Sequence, residues 1–376
     1  MPSRSLRVGV LTGGGDCPGI NAALRAVTKS LTLQHNAEVV GILDGFRGLV
    51  DRNVEPLHFR DVSNILTRGG TILGASNKAD PFSYQPRGGA NVSAQVMKTY
   101  RNLDLDALVA IGGDGTMSIA HRLTDLGIDI VGVPKTIDND LVGTDRTFGF
   151  DTAVSIATEA IDRIHTTAQS HHRVMIIETM GRYSGWIALH AGVASGTDVI
   201  LIPEIEYDIE EVAQVCTGRE RSGQRFTIVA VAEGARRKGG EYVVQEQRGE
   251  DPDSARLGGI GRVLADQLRA HLDSSIRTTV LGHMQRGGTP TSYDRNLATA
   301  FGTRAAALAA EDTTGVMVAI QNGTFTTVPL AEVAGKTRTV PLDAPLLASG
   351  LAVGTSFGVQ NSEIPACPEP EAHVQA

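Results

Sequence analysis

The sequence predicts an α/β protein in two domains. Short apolar runs that end in glycine alternate with segments of helical period along most of the chain, the pattern of a parallel sheet covered by helices. A length of 376 residues is enough to bury two cores of ordinary size. The 43 glycines are about half again the usual share, which points to many tight loops between elements.

Strands are expected at residues 7–11, 38–42, 107–111, 130–133, 174–178, 199–202, 226–232 and 278–281. Each is a brief apolar stretch followed by polar or glycine-rich sequence. Helices are expected at 20–33, 117–126, 209–216, 260–272 and 296–310. The clearest amphipathic helix carries Ala153, Ile156, Ala157, Ala160, Ile161 and Ile164 at steps of three and four, and it is expected to open the second domain past a boundary near 148–151. Runs 316–320 and 324–328 flank Asn322-Gly323, two residues that tolerate positive φ, so a hairpin is expected there. Residues 361–376 are polar and proline-rich with no period, which predicts a disordered tail.

Composition narrows the function. Lys plus Arg less Asp plus Glu is 34 minus 42, or −8, so no global positive field gathers nucleic acid, and anionic ligands must be held by local clusters. Cys17, Cys216 and Cys367 form no CxxC pair, which fits a reducing, cytoplasmic setting. No apolar stretch approaches the length of a membrane span, and the first strand is too short to be the core of a signal peptide. His121, His165 and His190 fall in helical segments without zinc-ligand spacing, and Trp186 reads as helix core.

Three stretches carry chemistry. GGGD at 13–16 joins the first strand to a helix; its glycines let backbone approach a phosphate, and the helix N-terminus attracts negative charge. It matches neither Walker A nor GxGxxG, and a purely structural turn would look the same. GGDGT at 112–116 is a second such turn, and both belong beyond the carboxyl ends of strands, where ligands bind in open sheets. Asp114 there reads either as a hard oxygen ligand for Mg²⁺ or as a helix N-cap.

The third stretch is PKTIDND at 134–140. If extended, Asp138 and Asp140 project to one side together with Thr136. Close carboxylates repel, so one gains a base's pKa and the other orients it or helps hold Mg²⁺; a solvated turn is the alternative. Beside two phosphate loops, a carboxylate that takes a hydroxyl proton supplies what phosphoryl transfer needs. Further on, Arg173, Met180-Gly181-Arg182, Arg277 and His283 to Arg286 bring cations to strand ends, suited to a phosphorylated substrate. Glu233 ends a strand and could accept from sugar hydroxyls.

With LTGGGDCPGINAALRAV, GGTILG, IGGDGT, PKTIDND, MGRYSGW, VAEG and VLGHMQRGGTP in succession, the chain resembles the phosphofructokinases over about residues 7–360. GGDGT alone is shared with NAD and lipid kinases; TIDND, MGR and GHxQRGG in series are specific. The resemblance implies two doubly wound domains with mostly parallel sheets and an active site in the cleft between them. Residues 1–148 with about 287–335 would hold the donor, and 149–286 with about 336–360 the sugar phosphate. The implied reaction is glycolytic transfer from ATP, with Mg²⁺, to the 1-hydroxyl of fructose 6-phosphate. A non-catalytic sugar-phosphate sensor would need no Asp138.

By the same resemblance Asp138 is the catalytic base, with Thr136 and Asp140 beside it. Arg182 stabilises the transition state as well as binding substrate. Gly14, Gly15, Gly113, Gly115 and Thr116 belong to the donor-phosphate site, and Asp114 holds Mg²⁺. Met180, Gly181, Arg182, Glu233, His283 and Arg286 contact the sugar phosphate. Arg173 and Arg277 reach a neighbouring subunit's site, which implies a homo-oligomer, a dimer or tetramer.

Two departures concern the donor. Gly115 favours ATP, whereas Lys135 is the residue of pyrophosphate-using relatives, so the pattern is that of a mixed-substrate branch. Asn77 stands where many ATP enzymes carry an arginine, and Lys78 is expected to supply that charge.

Overall fold

The computed structural model describes residues 4–246 and 256–367. In chain order the strands are β1 (Arg7–Thr12), β2 (Glu38–Ile42), β3 (Val54–Pro56), β4 (Ala107–Gly112), β5 (Ile130–Thr136), β6 (Phe148–Gly149), β7 (Val174–Thr179), β8 (Val199–Leu201), β9 (Thr227–Ala232), β10 (Val244–Glu246), β11 (Arg256–Leu257), β12 (Ile276–Val280), β13 (Val316–Gln321) and β14 (Thr324–Pro329). The chain divides into two compact units, Met1–Ala153 with Arg286–Arg338 and Val154–Gln285 with Thr339–Ala376. The division falls inside the helix Phe150–His171.

The first unit is built on a sheet of order β14-β13-β5-β4-β1-β2-β3, with β6 beside the end of β5. Its inner strands are parallel and its two outermost pairings antiparallel. Every residue of β4 is buried, as expected of a strand with helices on both faces. From β1 the chain passes to β2 on one side and returns to β4 on the other. The carboxyl ends of β1 and β4 therefore flank a topological switch point. Leu11, Ile42, Leu108, Ala110 and Ile130 pack one face of this sheet against Leu49, Val96, Met117 and Leu123. Turn residues Asn322 and Gly323 have φ of 51° and 75°, and Gln321 pairs with Thr324, the two-residue hairpin expected from their dipeptide.

The second unit has a parallel sheet of order β12-β7-β9-β8. Val174, Ile176, Val229 and Val231 meet Leu264, Ala265 and Leu268 of the helix Ile260–Leu268, while Tyr207 and Val212 close the same core. Glu178, 2% exposed at the end of β7, accepts from the N–H groups of Gly259 and Gly261 and so caps that helix. Among the described residues no helix is long and apolar enough to cross a membrane.

The first residues of the segment expected to be disordered, from 361, are structured. Asn361–Glu363 form a 3₁₀ turn closed by reciprocal capping between Gln360 and Glu363. Lys238 pairs with Glu363 at 2.7 Å and Ile364 is buried. One turn is too short to show a period. Residues 368–376 lie outside the described residues.

Asp294, buried in the first turn of the helix Ser292–Ala310, ties two segments of the first unit. One of its oxygens accepts from Thr152 N–H at 2.8 Å and Thr152 Oγ1 at 2.6 Å. Burial pushes its carboxyl from 3.8 up to about 6 despite those bonds. A raised folded-state pKa favours the protonated group, so stability from this site is full below pH 4 and declines until about pH 6. Two pKa units correspond to about 3 kcal/mol. Asp294→Asn should abolish that slope: the variant's Tm relative to wild type rises by about 5 °C between pH 4.5 and 7. Calorimetry at the two pH values checks it, and a constant difference would contradict the assignment.

Candidate active site

Three loops meet at the switch point of the first unit. Beyond β1, Gly14 has φ of 73°, a conformation that turns the GGGD backbone back on itself. A methyl group on Gly15 would fall 2.7 Å from Nη1 of Arg286, which donates to the Asp16 carbonyl at 3.1 Å. Beyond β4 the sequence folds at once into the helix Asp114–Thr124. Gly113 occupies its N-cap, so Asp114 lies in the first turn and is not the cap. The GGDGT motif is thus a helix N-terminus, the positive end of the dipole, where the first N–H groups have no partner within the helix itself. Helix formation starts three residues before the first apolar position because Asp114 suits that end and Gly115 meets no obstacle.

The space bounded by these loops is a cavity of about 430 Å³. Gly14, Gly15, Asn77, Gly113, Asp114, Gly115, Thr116, Lys135, Thr136 and Arg286 all line it. A Cβ on Gly115 would have no atom within 4 Å. Lys78, expected as a donor-phosphate cation, is exposed and does not line the cavity. The cations there are Lys135, Arg286 and Arg122. Arg286, which the resemblance implies as a sugar-phosphate contact, belongs to the first unit and its side chain packs on the GGGD turn.

Lys135 is 3% exposed and donates to the Gly15 carbonyl. Burial holds its pKa below the usual lysine value, with nearby Arg286 acting in the same direction. Cys17 beneath the turn is fully buried, and burial pushes its thiol up to about 12, so it is a packing residue without thiolate chemistry.

β5 continues to Thr136, farther than its apolar run, and the chain then turns. Asn139 is left-handed at φ 51°, so residues 136–140 form a turn, the alternative to the extended segment. The turn is fixed from several sides. Thr136 Oγ1 accepts from Asp138 N–H at 3.1 Å, and Asn139 Oδ1 accepts from Thr147 N–H at 3.0 Å. Arg338 donates from its guanidinium to the Asn139 carbonyl and from its backbone to the Asp140 carbonyl. The Asp140 carboxyl sits well above the ordinary carboxylate range, first because its surroundings are densely packed and second because Asp138 is near. Thr136 and Lys135 oppose that rise.

The second unit gathers its own set at the carboxyl ends of neighbouring strands. Met180, Gly181 and Arg182 follow β7, Glu233 follows β9, and His283 lies in the 3₁₀ turn Gly282–Arg286 after β12. The approach is close: Gly234 N–H bonds the Gly181 carbonyl at 3.0 Å, and a Cβ on Gly234 would fall 1.9 Å from the Arg182 carbonyl oxygen. Gln285, wholly buried, accepts from Met180 N–H at 3.4 Å and donates to the Gly282 carbonyl, tying two strand ends together.

Arg173 and Arg277 are not part of this set. Arg173 precedes β7, and Arg277 is the second residue of β12 opposite Met175, so both lie at the amino edge of the sheet. Seven strand steps, about 20 Å, separate Arg173 from Met180. Motif reading quoted Gln285 within GHxQRGG without giving it this role, and it missed Arg338, Asp80 and Arg122, which make their contacts across long sequence separations that no local pattern marks.

Among the described residues no three His, Cys, Asp or Glu side chains are grouped to cage a metal. Asp114 lines the cavity, and a single carboxylate suits Mg²⁺, which would take its remaining ligands from phosphates and water.

The phosphofructokinase family description matches residues 7–309. An ATP-dependent 6-phosphofructokinase of Spirochaeta thermophila is 48% identical over 354 residues, covering 93% of this chain and 97% of the relative. A pyrophosphate–fructose 6-phosphate 1-phosphotransferase of Amycolatopsis mediterranei is 50% identical over 339 residues, covering 90% and 97%. The structure of phosphofructokinase from Saccharomyces cerevisiae matches with a TM-score of 0.75 at 31% identity over 87% of this chain, which spans 45% of that longer one. Since the family description spans most of its length and relatives share about half its residues end to end, this chain belongs to the phosphofructokinase family.

Proposed function

We propose that the chain transfers the γ-phosphoryl group of ATP to the 1-hydroxyl of fructose 6-phosphate, giving fructose 1,6-bisphosphate and ADP. The first unit is the donor side and the strand-end set of the second unit is the sugar-phosphate side. Asp138 takes the proton from the 1-hydroxyl as its oxygen attacks phosphorus, and Thr136 and Asp140 hold the turn and its charge. Gly15, Gly113, Gly115 and Thr116 cradle the phosphates with backbone N–H groups and the helix end, while Gly14, whose N–H bonds the Ser76 carbonyl at 3.3 Å, lets the turn approach them closely. Lys135 and Arg286 add positive charge beside them. Bound Mg²⁺ would neutralise phosphate charge, held by Asp114. Arg182 stabilises charge in the transition state, while Met180, Gly181, Glu233 and His283 hold the sugar phosphate.

The single observation that carries ATP as donor is the open space at Gly115. A side chain there would occupy the path a nucleotide's inner phosphates need, and the cavity continues past it along the helix. One observation favours pyrophosphate: Lys135 aims its ammonium at the GGGD turn, where it would meet a short inorganic donor. The Amycolatopsis mediterranei relative carries that activity in its name.

Turnover of purified protein with fructose 6-phosphate and Mg²⁺ is expected with ATP. Turnover with pyrophosphate alone would overturn the donor assignment. Arg173 and Arg277, remote from their own sheet's carboxyl edge, fit a role in a neighbouring copy's site, hence a homo-oligomer. Cys17 and Cys216 are buried thiols, in keeping with a cytoplasmic protein.

A further inference from the structure

Past the phosphate loops the donor cavity runs on to a second polar group. Asp114, Ser118 and Arg122 recur at steps of four on the helix Asp114–Thr124, so one face carries all three. Arg122 Nη1 lies 3.6 Å from Asp80 Oδ2, and its guanidinium is 3.6 Å from the centre of the Phe82 ring. Asp80 is pinned from the other side, its Oδ1 accepting from Phe82 N–H at 2.8 Å. Phe46, Ala79 and Ile119 supply apolar wall nearby.

Length and sign decide what this end can hold. Eight residues at about 1.5 Å each put Arg122 about 12 Å beyond Asp114 along the helix axis. Two linked phosphorus atoms lie closer together than one helical turn, so pyrophosphate at the glycine loops cannot reach Asp80. A carboxylate is also the wrong group for a phosphate. It accepts and never donates when ionised, so its natural partners are hydroxyls. Phe82 N–H and the Arg122 ion pair leave acceptor capacity on Asp80, and its side chain is 35% exposed.

We propose that Asp80, held in position by Arg122, is a donor-specificity residue whose carboxylate accepts hydrogen bonds from the ribose hydroxyls of a nucleoside triphosphate. This rests on ATP being the donor. The cavity is then graded in charge, cationic where phosphates lie and acidic where they end.

The test compares three ligands in wild type and Asp80→Ala: ATP, 2′,3′-dideoxy-ATP and inorganic tripolyphosphate as a competitive inhibitor. In the variant the KM for ATP should rise about tenfold. The KM for dideoxy-ATP and the inhibition constant of tripolyphosphate should stay within about twofold. Asp80→Asn, which keeps an acceptor for Phe82 N–H, should fall between and retain the wild-type Tm. An unmoved KM for ATP, or equal weakening of ATP and dideoxy-ATP, overturns the role of Asp80 while ATP remains the donor. Equal weakening of tripolyphosphate overturns it too, by showing an effect on phosphates. Wild-type protein that uses pyrophosphate and not ATP removes the donor assignment and this inference together.

Discussion

Replacing Asp138 with asparagine should lower kcat at least about 10²-fold and leave the KM for fructose 6-phosphate within about twofold. Asparagine keeps the shape of the side chain and removes its basicity, so the loss falls on the step that takes the hydroxyl proton. The anchors of the turn described above are Thr136 Oγ1, the Asn139 amide and Arg338, none of which needs the Asp138 carboxylate to be ionised. A folded variant is therefore expected, with Tm close to wild type. Asp140 gives a second readout. Its carboxyl is raised by burial and then by the charge of Asp138. Removing that charge lets Asp140 ionise at lower pH, and the acid limb of any residual activity should move the same way. Steady-state kinetics with both substrates varied, repeated across pH, separates these effects. A wild-type kcat would take proton transfer away from Asp138.

The parts of this site that could be read from sequence are those in which chemistry and local spacing coincide. GGDGT after an apolar run marks a strand passing into a helix, because glycine, acid and hydroxyl residues all suit a helix N-terminus. The PKTIDND stretch announces paired acids but leaves its shape open between an extended segment and a turn, and the structure has the turn. Alternation assumes an extended chain, and Asn139 breaks it by entering the left-handed region, which Asn tolerates better than most residues. The helix Trp186–Ala194 left no amphipathic trace because Trp186, Ile187, Ala188, Leu189 and Ala191 are buried around its whole circumference.

Other features belong to the fold and not to any segment. Arg286 joins the donor cavity only because its chain returns to the first unit after β12. Asp80 and Arg122 meet across forty-two positions, and Arg338 reaches Asn139 across about two hundred. Lys78 shows the converse. Its place beside Asn77 in the sequence suggested a phosphate contact, but the chain carries it to the surface while Lys135, from the end of β5, provides the buried ammonium.

Gly115→Asp should cut kcat/KM for ATP about 10²-fold or more without unfolding the protein. The structural half of that expectation rests on space: no atom lies within 4 Å of a Cβ built on Gly115, and its φ is outside the left-handed region. An acid in the first turn of a helix is mildly favourable there, so Tm should hold or rise slightly. The functional half rests on charge. Unit charges 4 Å apart at an effective dielectric of about 20 interact by about 4 kcal/mol. Solvent in an open cavity reduces this to about 3 kcal/mol, equal to about 10² in rate or affinity. The new carboxylate would face the donor's phosphates at the helix end that now attracts them, while also narrowing the way to Asp80 and Arg122. A shorter donor needs less of that space, so any pyrophosphate-dependent turnover should fall less than turnover with ATP. Parallel assays with the two donors, together with thermal unfolding, read all three quantities. Full ATP activity in a folded Gly115→Asp protein would mean that the nucleotide's phosphates bind somewhere other than the ends of β1 and β4.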